Sequence, residues 1–154
     1  MREKRVALIL ALVLIVTGTC LNTSRVNAET STEDVNFSEI WTEDALVGYA
    51  ELITRGVYLA QGISTINDAG SGKIGTGGIT TAARDCKVSV NVIVEKKVSG
   101  SWTRVTSYSA TKTYDITVSA SKYVYVSSGY YYRVRSVHSA ASDTSSSCTS
   151  SLWM

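Results

Sequence analysis

The chain contains no proline in its 154 residues. Proline is one of the devices that keep exposed strand edges from pairing with other chains, so a β-rich fold of this sequence would lack that protection. Glycine and serine must supply its turns. Edge protection must come from charge, and four lysines are available for it: Lys96, Lys97, Lys112 and Lys122.

Histidine is also scarce, because His138 is the only one in the sequence. Acid–base chemistry near neutral pH would depend on that side chain. Asp115 and Asp143 are its nearest acids in sequence, no serine sits in a nucleophile elbow, and the other acids are too scattered to indicate a glycosidase pair. We therefore predict a structural or strand-end role for His138, no catalytic residue and no cofactor.

The first 28 residues have the three parts of a secretory signal peptide. A charged start at Met1 to Arg5 precedes eleven apolar residues, Val6 to Val16, and the small-residue cleavage site Val26-Asn27-Ala28 follows. Eleven residues are too few to cross a bilayer, which takes about 20 helical residues. We predict cleavage after Ala28 and a secreted, wall-associated or freely released protein with no membrane span. The alternative is lipidation of Cys20, although the residues before Cys20 match a lipoprotein site poorly.

Removal of the signal peptide changes the apparent charge. The full chain has a formal charge of +2, whereas residues 29–154 have 11 bases and 12 acids. The acids are concentrated at the start of this part, because residues 29–51 contain seven acids and no base. Residues 52–154 contain 11 bases and five acids. The sequence therefore predicts an acidic leader ahead of a basic body, and a body of that charge attracts anionic polymers.

Two cysteines, Cys86 and Cys148, remain once Cys20 leaves with the signal peptide. An even number of cysteines in an exported protein favours a disulfide between them. Two buried thiols or a metal pair are the alternatives. Two cysteines and one histidine are too few for a closed zinc site without carboxylate help, and we predict no metal site.

The leader and the body differ in their hydrophobic periodicity. Apolar residues recur at helical spacing between Thr42 and Arg55, which predicts a short helix in a leader that is otherwise partly disordered. From Gly56 onward, Val, Thr, Tyr and Ser alternate with period two, which is typical of strands. The clearest predicted strand is Cys86 to Val98, with its valines on one face. The other predicted strands are Ser101–Tyr108, Thr113–Ser119, Tyr130–Ala140 and Ser145–Trp153.

These strands predict an all-β domain over residues 55–154, an antiparallel β-sandwich of the immunoglobulin or fibronectin-III type with about six or seven strands. Residues 1–28 form the predicted signal peptide and residues 29–54 the leader. Gly70 to Gly75 spells the dinucleotide-binding pattern G-x-G-x-x-G. Because the residues after it are β-like rather than helical, we interpret this segment as a turn.

The densest group of aromatic and basic residues lies between Tyr130 and His138. On a strand, Tyr132 and His138 face the core, and Tyr131, Arg133 and Arg135 share the outer face. Such a stripe can bind anionic polymers or stack on sugar rings. It can equally be a solvated face whose arginines pair with acids on the neighbouring strand.

Several short motifs resemble an uncharacterised family of small exported proteins from spore-forming Gram-positive bacteria, a domain of unknown function. The motifs are Arg55 to Leu59, Gly62 to Ile66, Gly100-Ser101-Trp102, and Gly129 to Val134 with His138. The resemblance covers Arg55 to Ser147 and implies an exported β-sandwich, with no activity to transfer.

The sequence thus favours a non-enzymatic secreted or cell-surface protein of unknown ligand that contacts anionic wall polymers or a surface protein, and not nucleic acid. A secreted effector or antimicrobial protein is the alternative, although no amphipathic basic helix supports it. A hydrolase dependent on His138 is the third hypothesis.

Overall fold

A computed structural model describes residues 30–51 and 56–154. The predicted signal peptide, and Cys20 with it, lies outside the described residues. The described residues form eight strands and one short helix: β1 (Thr32–Asp34), α1 (Phe37–Ile40), β2 (Leu46–Tyr49), β3 (Leu59–Asp68), β4 (Lys73–Val98), β5 (Ser101–Tyr125), β6 (Tyr131–Ala140), β7 (Asp143–Cys148) and β8 (Leu152–Trp153). All strand pairs are antiparallel. The prediction of an antiparallel all-β fold is confirmed.

Two long strands, β4 and β5, build both layers of the fold. In the first half of β4, residues 74–82 pair with β3 on one side, and residues 73–81 pair with the second half of β5 on the other. Residues 88–96 of β4 pair instead with β6 and with the first half of β5. The register breaks between Thr81 and Cys86, where the chain bends from one arrangement to the other. We call the half with β1, β2 and β3 the first layer and the half with β6, β7 and β8 the second layer.

The two layers pack face to face. A Cβ atom at Gly78 in the first layer would lie 2.7 Å from Ser136 Oγ and 2.9 Å from Val90 Cγ2, both in the second layer. Val88, Val90, Val92 and Val94 are all fully buried, as their alternation predicts. One hydrogen-bonded sheet therefore folds over itself into a sandwich-like domain with an apolar interior.

Tyr132 connects this interior to the turn before β6. Its ring is buried, and its hydroxyl donates a hydrogen bond of 2.8 Å to the carbonyl of Ser127, five residues upstream. A buried tyrosine bonded to nearby upstream backbone resembles the tyrosine corner of immunoglobulin-type sandwiches. This bond holds the start of β6, and so it fixes where the outward side chains of that strand begin.

The G-x-G-x-x-G segment is a turn between β3 and β4. Gly70 and Gly72 have φ angles of 71°, a left-handed conformation that glycine adopts without a steric penalty. Gly75 lies within β4, where no helix N-terminus is present to hold a phosphate. The interpretation of this motif as a turn is confirmed.

The helix predicted within residues 42–55 is wrong. Leu46–Tyr49 form strand β2, which pairs with β3, and the only helix among the described residues is the four-residue α1, before that segment. Residues 52–55 lie outside the described residues. The physical reason is tertiary: the free edge of β3 offers backbone partners along the whole of β2, and such pairing overrides a weak local helix propensity.

The described leader also packs against the sheet. Ile40 of α1 is fully buried over two glycines of β4, and a Cβ atom at Gly77 would lie 2.5 Å from its Cδ1. β1 pairs with residues 122–124 of β5. None of the helices among the described residues is long and apolar enough to span a membrane.

Candidate functional site

The outer face of the second layer combines basic and aromatic side chains. Tyr131, Arg133 and Arg135 alternate with the buried Tyr132 and Val134 along β6, so all three point away from the core. In the strand register, Arg133 lies opposite Glu95 and Arg135 opposite Ile93 of β4. The structure therefore places the three residues predicted from the sequence on one outward surface.

Glu95 lies beneath the two arginines and is 7% exposed. Arg133 Nε donates to its Oε2 at 2.7 Å, and Arg135 reaches its Oε1 at 3.4 Å. A buried carboxylate would be costly without such partners. The arginines of the stripe therefore pair with an acid on the neighbouring strand, as expected for a solvated face. Two guanidinium groups share one carboxylate, so one positive charge remains unneutralised.

Arg133 and Arg135 differ in how fully they are occupied. The guanidinium of Arg133 also lies 4.2 Å from the centre of the Trp102 ring, a cation–π contact from β5. Its side chain is 27% exposed, whereas that of Arg135 is 40% exposed and makes only the longer contact with Glu95. Arg133 therefore organises the surface, and Arg135 is the guanidinium with free hydrogen-bonding capacity.

Sequence inspection of β6 alone missed the neighbours of the stripe, which come from three other strands. Lys97 and Arg104 add two bases, because Arg104 lies opposite Glu95 and Lys97 lies opposite Trp102 in the pairing of β4 with β5. Trp153 of β8 lies opposite Tyr131, and the two rings meet edge to face at 4.7 Å. Strand alternation gives their orientation only once the β4–β5 and β6–β8 registers are known. We call the following set the cationic face: Lys97, Trp102, Arg104, Tyr131, Arg133, Arg135 and Trp153.

Charges are distributed unequally between the two layers. The first layer has two bases on its described strands, and both pair with acids of β1: Lys122 Nζ with Asp34 at 2.8 Å and Lys73 Nζ with Glu33 at 3.8 Å. The cationic face has four bases, and Glu95 is the only acid paired with them among the described residues. The acidic leader thus compensates the first layer and leaves the cationic face positive.

His138 lies between the layers and is fully buried. Its Nδ1 lies 2.9 Å from Thr80 Oγ1 and its Nε2 lies 2.7 Å from Ser147 Oγ. Because the Thr80 hydroxyl donates to the Ser89 carbonyl at 2.9 Å, it accepts from Nδ1, and Nε2 then accepts from Ser147. Burial lowers the pKa of His138 to about 4, so the ring is neutral at pH 7.

The hydroxyl chain continues beyond the imidazole. Ser64 Oγ lies 2.6 Å from Ser147 Oγ and 2.7 Å from Ser136 Oγ, and all of these serines are buried. No carboxylate among the described residues hydrogen-bonds this chain, and a Cβ atom at Gly62 would lie 2.5 Å from the His138 ring. The cluster joins β3, β4, β6 and β7 across the interior, and it has no access to a substrate.

The predicted disulfide between Cys86 and Cys148 is wrong, because both are free thiols. Cys148 lies opposite Arg135 in the register, and Arg135 lies opposite Ile93. Cys86 is seven residues from Ile93 along β4, which corresponds to about 20 Å of strand. A disulfide needs Cα atoms within about 7 Å. Cys86 also faces the core, whereas Cys148 is exposed.

Among residues 30–51 and 56–154, no group of three or more His, Cys, Asp or Glu side chains is arranged to hold a metal ion.

A groove of about 330 Å³ lies where β5 bends beside the leader, lined by Asp34 to Phe37, Tyr108 to Ala110 and Ser119 to Lys122. Tyr108 donates to the Thr76 carbonyl at 2.7 Å within it, and burial raises the pKa of its hydroxyl. The groove thus offers backbone edges and hydroxyls, without a reactive group.

No family model matches the chain, and no curated protein matches it. Among solved structures, the chain is similar to the solution structure of R. palustris CsgH, with 20% sequence identity and a TM-score of 0.35. The alignment covers 66% of this chain and 87% of that one. A likeness of that degree carries no argument about the fold or the function.

Proposed function

We propose that this protein is a non-enzymatic binding protein, exported by its predicted signal peptide, that holds anionic polymers of the cell surface on the cationic face. The observation that carries the proposal is the charge segregation between the layers. Both bases on the described strands of the first layer have acidic partners in β1, whereas only Arg133 and Arg135 of the four bases on the cationic face have a described acidic partner, the shared carboxylate of Glu95. An uncompensated basic surface attracts polyanions in a salt-dependent way.

The buried position of the only histidine supports a function without catalysis. His138 has hydroxyl partners on both ring nitrogens and no exposed surface. A general base must come within hydrogen-bond reach of the proton that it removes, and the surrounding strands prevent this. The imidazole therefore acts as a structural link between the layers.

The proposal is tested with isolated cell walls, sedimented with the purified protein over a range of salt concentrations. The informative variant is Arg104→Ala/Arg135→Ala, which removes two positive charges and leaves Arg133 on Glu95, so the buried carboxylate keeps its partner. Lys87→Ala/Lys112→Ala is the matched control, because it removes the same charge near the bend at the far end of β4. We expect the first variant to lose most of its retention at low salt and the control to keep it.

Two results would contradict the proposal. One is no retention of the unaltered protein at low salt, and the other is an equal loss in both double variants. An equal loss would mean that net charge alone, rather than the cationic face, determines retention.

A further inference from the structure

The cationic face is not uniform along the strands. The rings of Tyr131 and Trp153 lie at one end, and Arg135 follows four residues later on β6. Alternate residues of one strand are about 6.6 Å apart, so this end spans about 13 Å. The surface is therefore long enough for an extended ligand. Its two aromatic rings lie at one end, and the Arg135 guanidinium, which can bind an anionic group, lies in the middle.

Trp153 is the ring best placed to take a ligand. Trp102 carries the guanidinium of Arg133 on its face, and the Lys97 ammonium lies 5.9 Å from the same ring. Trp153 is 57% exposed, and its described ring contact is the edge-to-face one with Tyr131. An exposed indole supported from one side is a stacking platform for a flat apolar surface, and the CH-bearing face of a sugar ring is such a surface.

Beyond Arg135 the same outer face continues in small polar side chains. In the register, Asn91 lies opposite Ser109 on β5 and Val137 on β6, and Val137 lies opposite Ser146 on β7. The exposed polar members of this surface, which we call the polar tract, are Asn91, Ser107, Ser109, Thr144 and Ser146. Hydroxyl and amide groups both donate and accept hydrogen bonds, as sugar hydroxyls do.

We propose that the ligand of this face is an anionic polysaccharide, with a sugar ring stacked on Trp153, its acidic substituent on Arg135 and its following hydroxyls along the polar tract. This inference rests on the proposed function, since it specifies the polymer that the cationic face holds. Charge complementarity and the sequence of ring, guanidinium and hydroxyl groups along one surface both favour a charged glycan over a polyanion without rings.

Binding to hyaluronan, a carboxylated glycan, is compared with binding to inorganic polyphosphate, which has charge but no rings. Arg135→Ala weakens both, because it removes the shared anion contact. Trp153→Ala weakens hyaluronan binding about fivefold and changes polyphosphate binding by less than about twofold, as the loss of one stacking contact predicts. Trp153→Phe restores most of the hyaluronan affinity, and Asn91→Ala lowers hyaluronan binding alone.

The outcomes separate this inference from the proposed function. If the protein binds neither polymer, the proposed function fails and the inference fails with it. If polyphosphate binds and Trp153→Ala affects both polymers equally or neither, the glycan inference fails while the proposed function stands. Stronger binding to phosphatidylglycerol vesicles than to hyaluronan would overturn the inference in favour of a membrane. The thermal midpoint of each variant confirms that these exposed substitutions leave the fold intact.

Discussion

The two layers share two strands, β4 and β5, yet their outer surfaces differ. The leader packs on the first layer and neutralises its bases, whereas the second layer has no such covering among the described residues. The leader lies on the first layer, with Ile40 buried over Gly77 and with Glu33 and Asp34 paired to Lys73 and Lys122. Nothing among the described residues covers the second layer in this way, and its bases face outward. The acidic leader and the basic body are therefore parts of one electrostatic arrangement, in which the leader neutralises the bases of the first layer and positive charge remains on the second.

The largest effect is expected where the two layers meet. A Gly62→Val substitution places a branched side chain against the fully buried His138 ring, because a Cβ atom at this position would lie 2.5 Å from the ring and 3.0 Å from Ala50 Cβ. Overpacking of this kind costs about 3 kcal/mol. Urea unfolding should show the loss, and Ala60→Val, on an exposed position of β3, should change the free energy of unfolding by less than about 0.5 kcal/mol. Equal urea midpoints for the two variants would mean that Gly62 of the first layer does not pack against His138 of the second.

Acid should weaken the same interface. The folded pKa of His138 is about 4 and its ordinary value is 6.5, so between these pH values the unfolded chain binds a proton that the folded chain does not. Stability is therefore complete above pH 6.5 and falls as the pH drops towards 4, by about 3 kcal/mol in total.

The pH dependence is measured as the free energy of unfolding in urea between pH 7.5 and 4.5. A His138→Gln variant is less stable at every pH, and its profile over this range should be nearly flat. If the free energy of unfolding of His138→Gln fell with pH as steeply as that of the unaltered protein, groups other than His138 would cause the acid sensitivity. Staying above pH 4.5 keeps the carboxylates of Asp115 and Asp143 ionised, since hydrogen bonds hold the pKa of each below its usual range.

A smaller effect is expected from uncovering the first layer. Ile40→Ala removes the fully buried side chain with which α1 packs on the glycines of β4. Such truncations cost about 2 kcal/mol or more. The variant should unfold at lower urea, and protease should cleave its leader faster. Glu39→Ala changes an exposed residue of the same helix turn and serves as the control. If protease cleaved the two variants at the same rate, the packing of the leader on the first layer would not depend on Ile40.

The sequence predicted the features that depend on local periodicity. The valines of β4 alternate, and all four are buried; Tyr131, Arg133 and Arg135 alternate with core residues, and all three face outward. The exact placement of Val88 to Val94 in the core follows from period two alone, since every second strand residue points to one face.

Features that depend on distant partners were not predictable in this way. The sequence predicts Ser101–Tyr108 and Thr113–Ser119 as separate strands, but they are parts of the single strand β5, because both segments pair with the long strand β4 on either side of its bend. The helix expected in the leader is strand β2, because β3 has a free edge. Cysteine number favoured a disulfide, but the strand register separates Cys86 from Cys148. Likewise, Glu95 and Trp153 join the stripe only through strand pairing.

The smallest expected effect concerns the charges that distinguish the layers. Asp34→Asn breaks the ion pair with Lys122, but the Asp34 side chain is 90% exposed, so the free energy of unfolding should change by less than about 1 kcal/mol. The substitution leaves Lys122 without its acidic partner, which makes the first layer more like the second. Polyphosphate binding at low salt should therefore stay equal or rise slightly, whereas Arg104→Ala, also exposed, should lower it with equally little effect on stability. If Asp34→Asn weakened polyphosphate binding as much as Arg104→Ala does, the leader would belong to the binding surface itself, and the contrast between a compensated and an uncompensated layer would no longer hold.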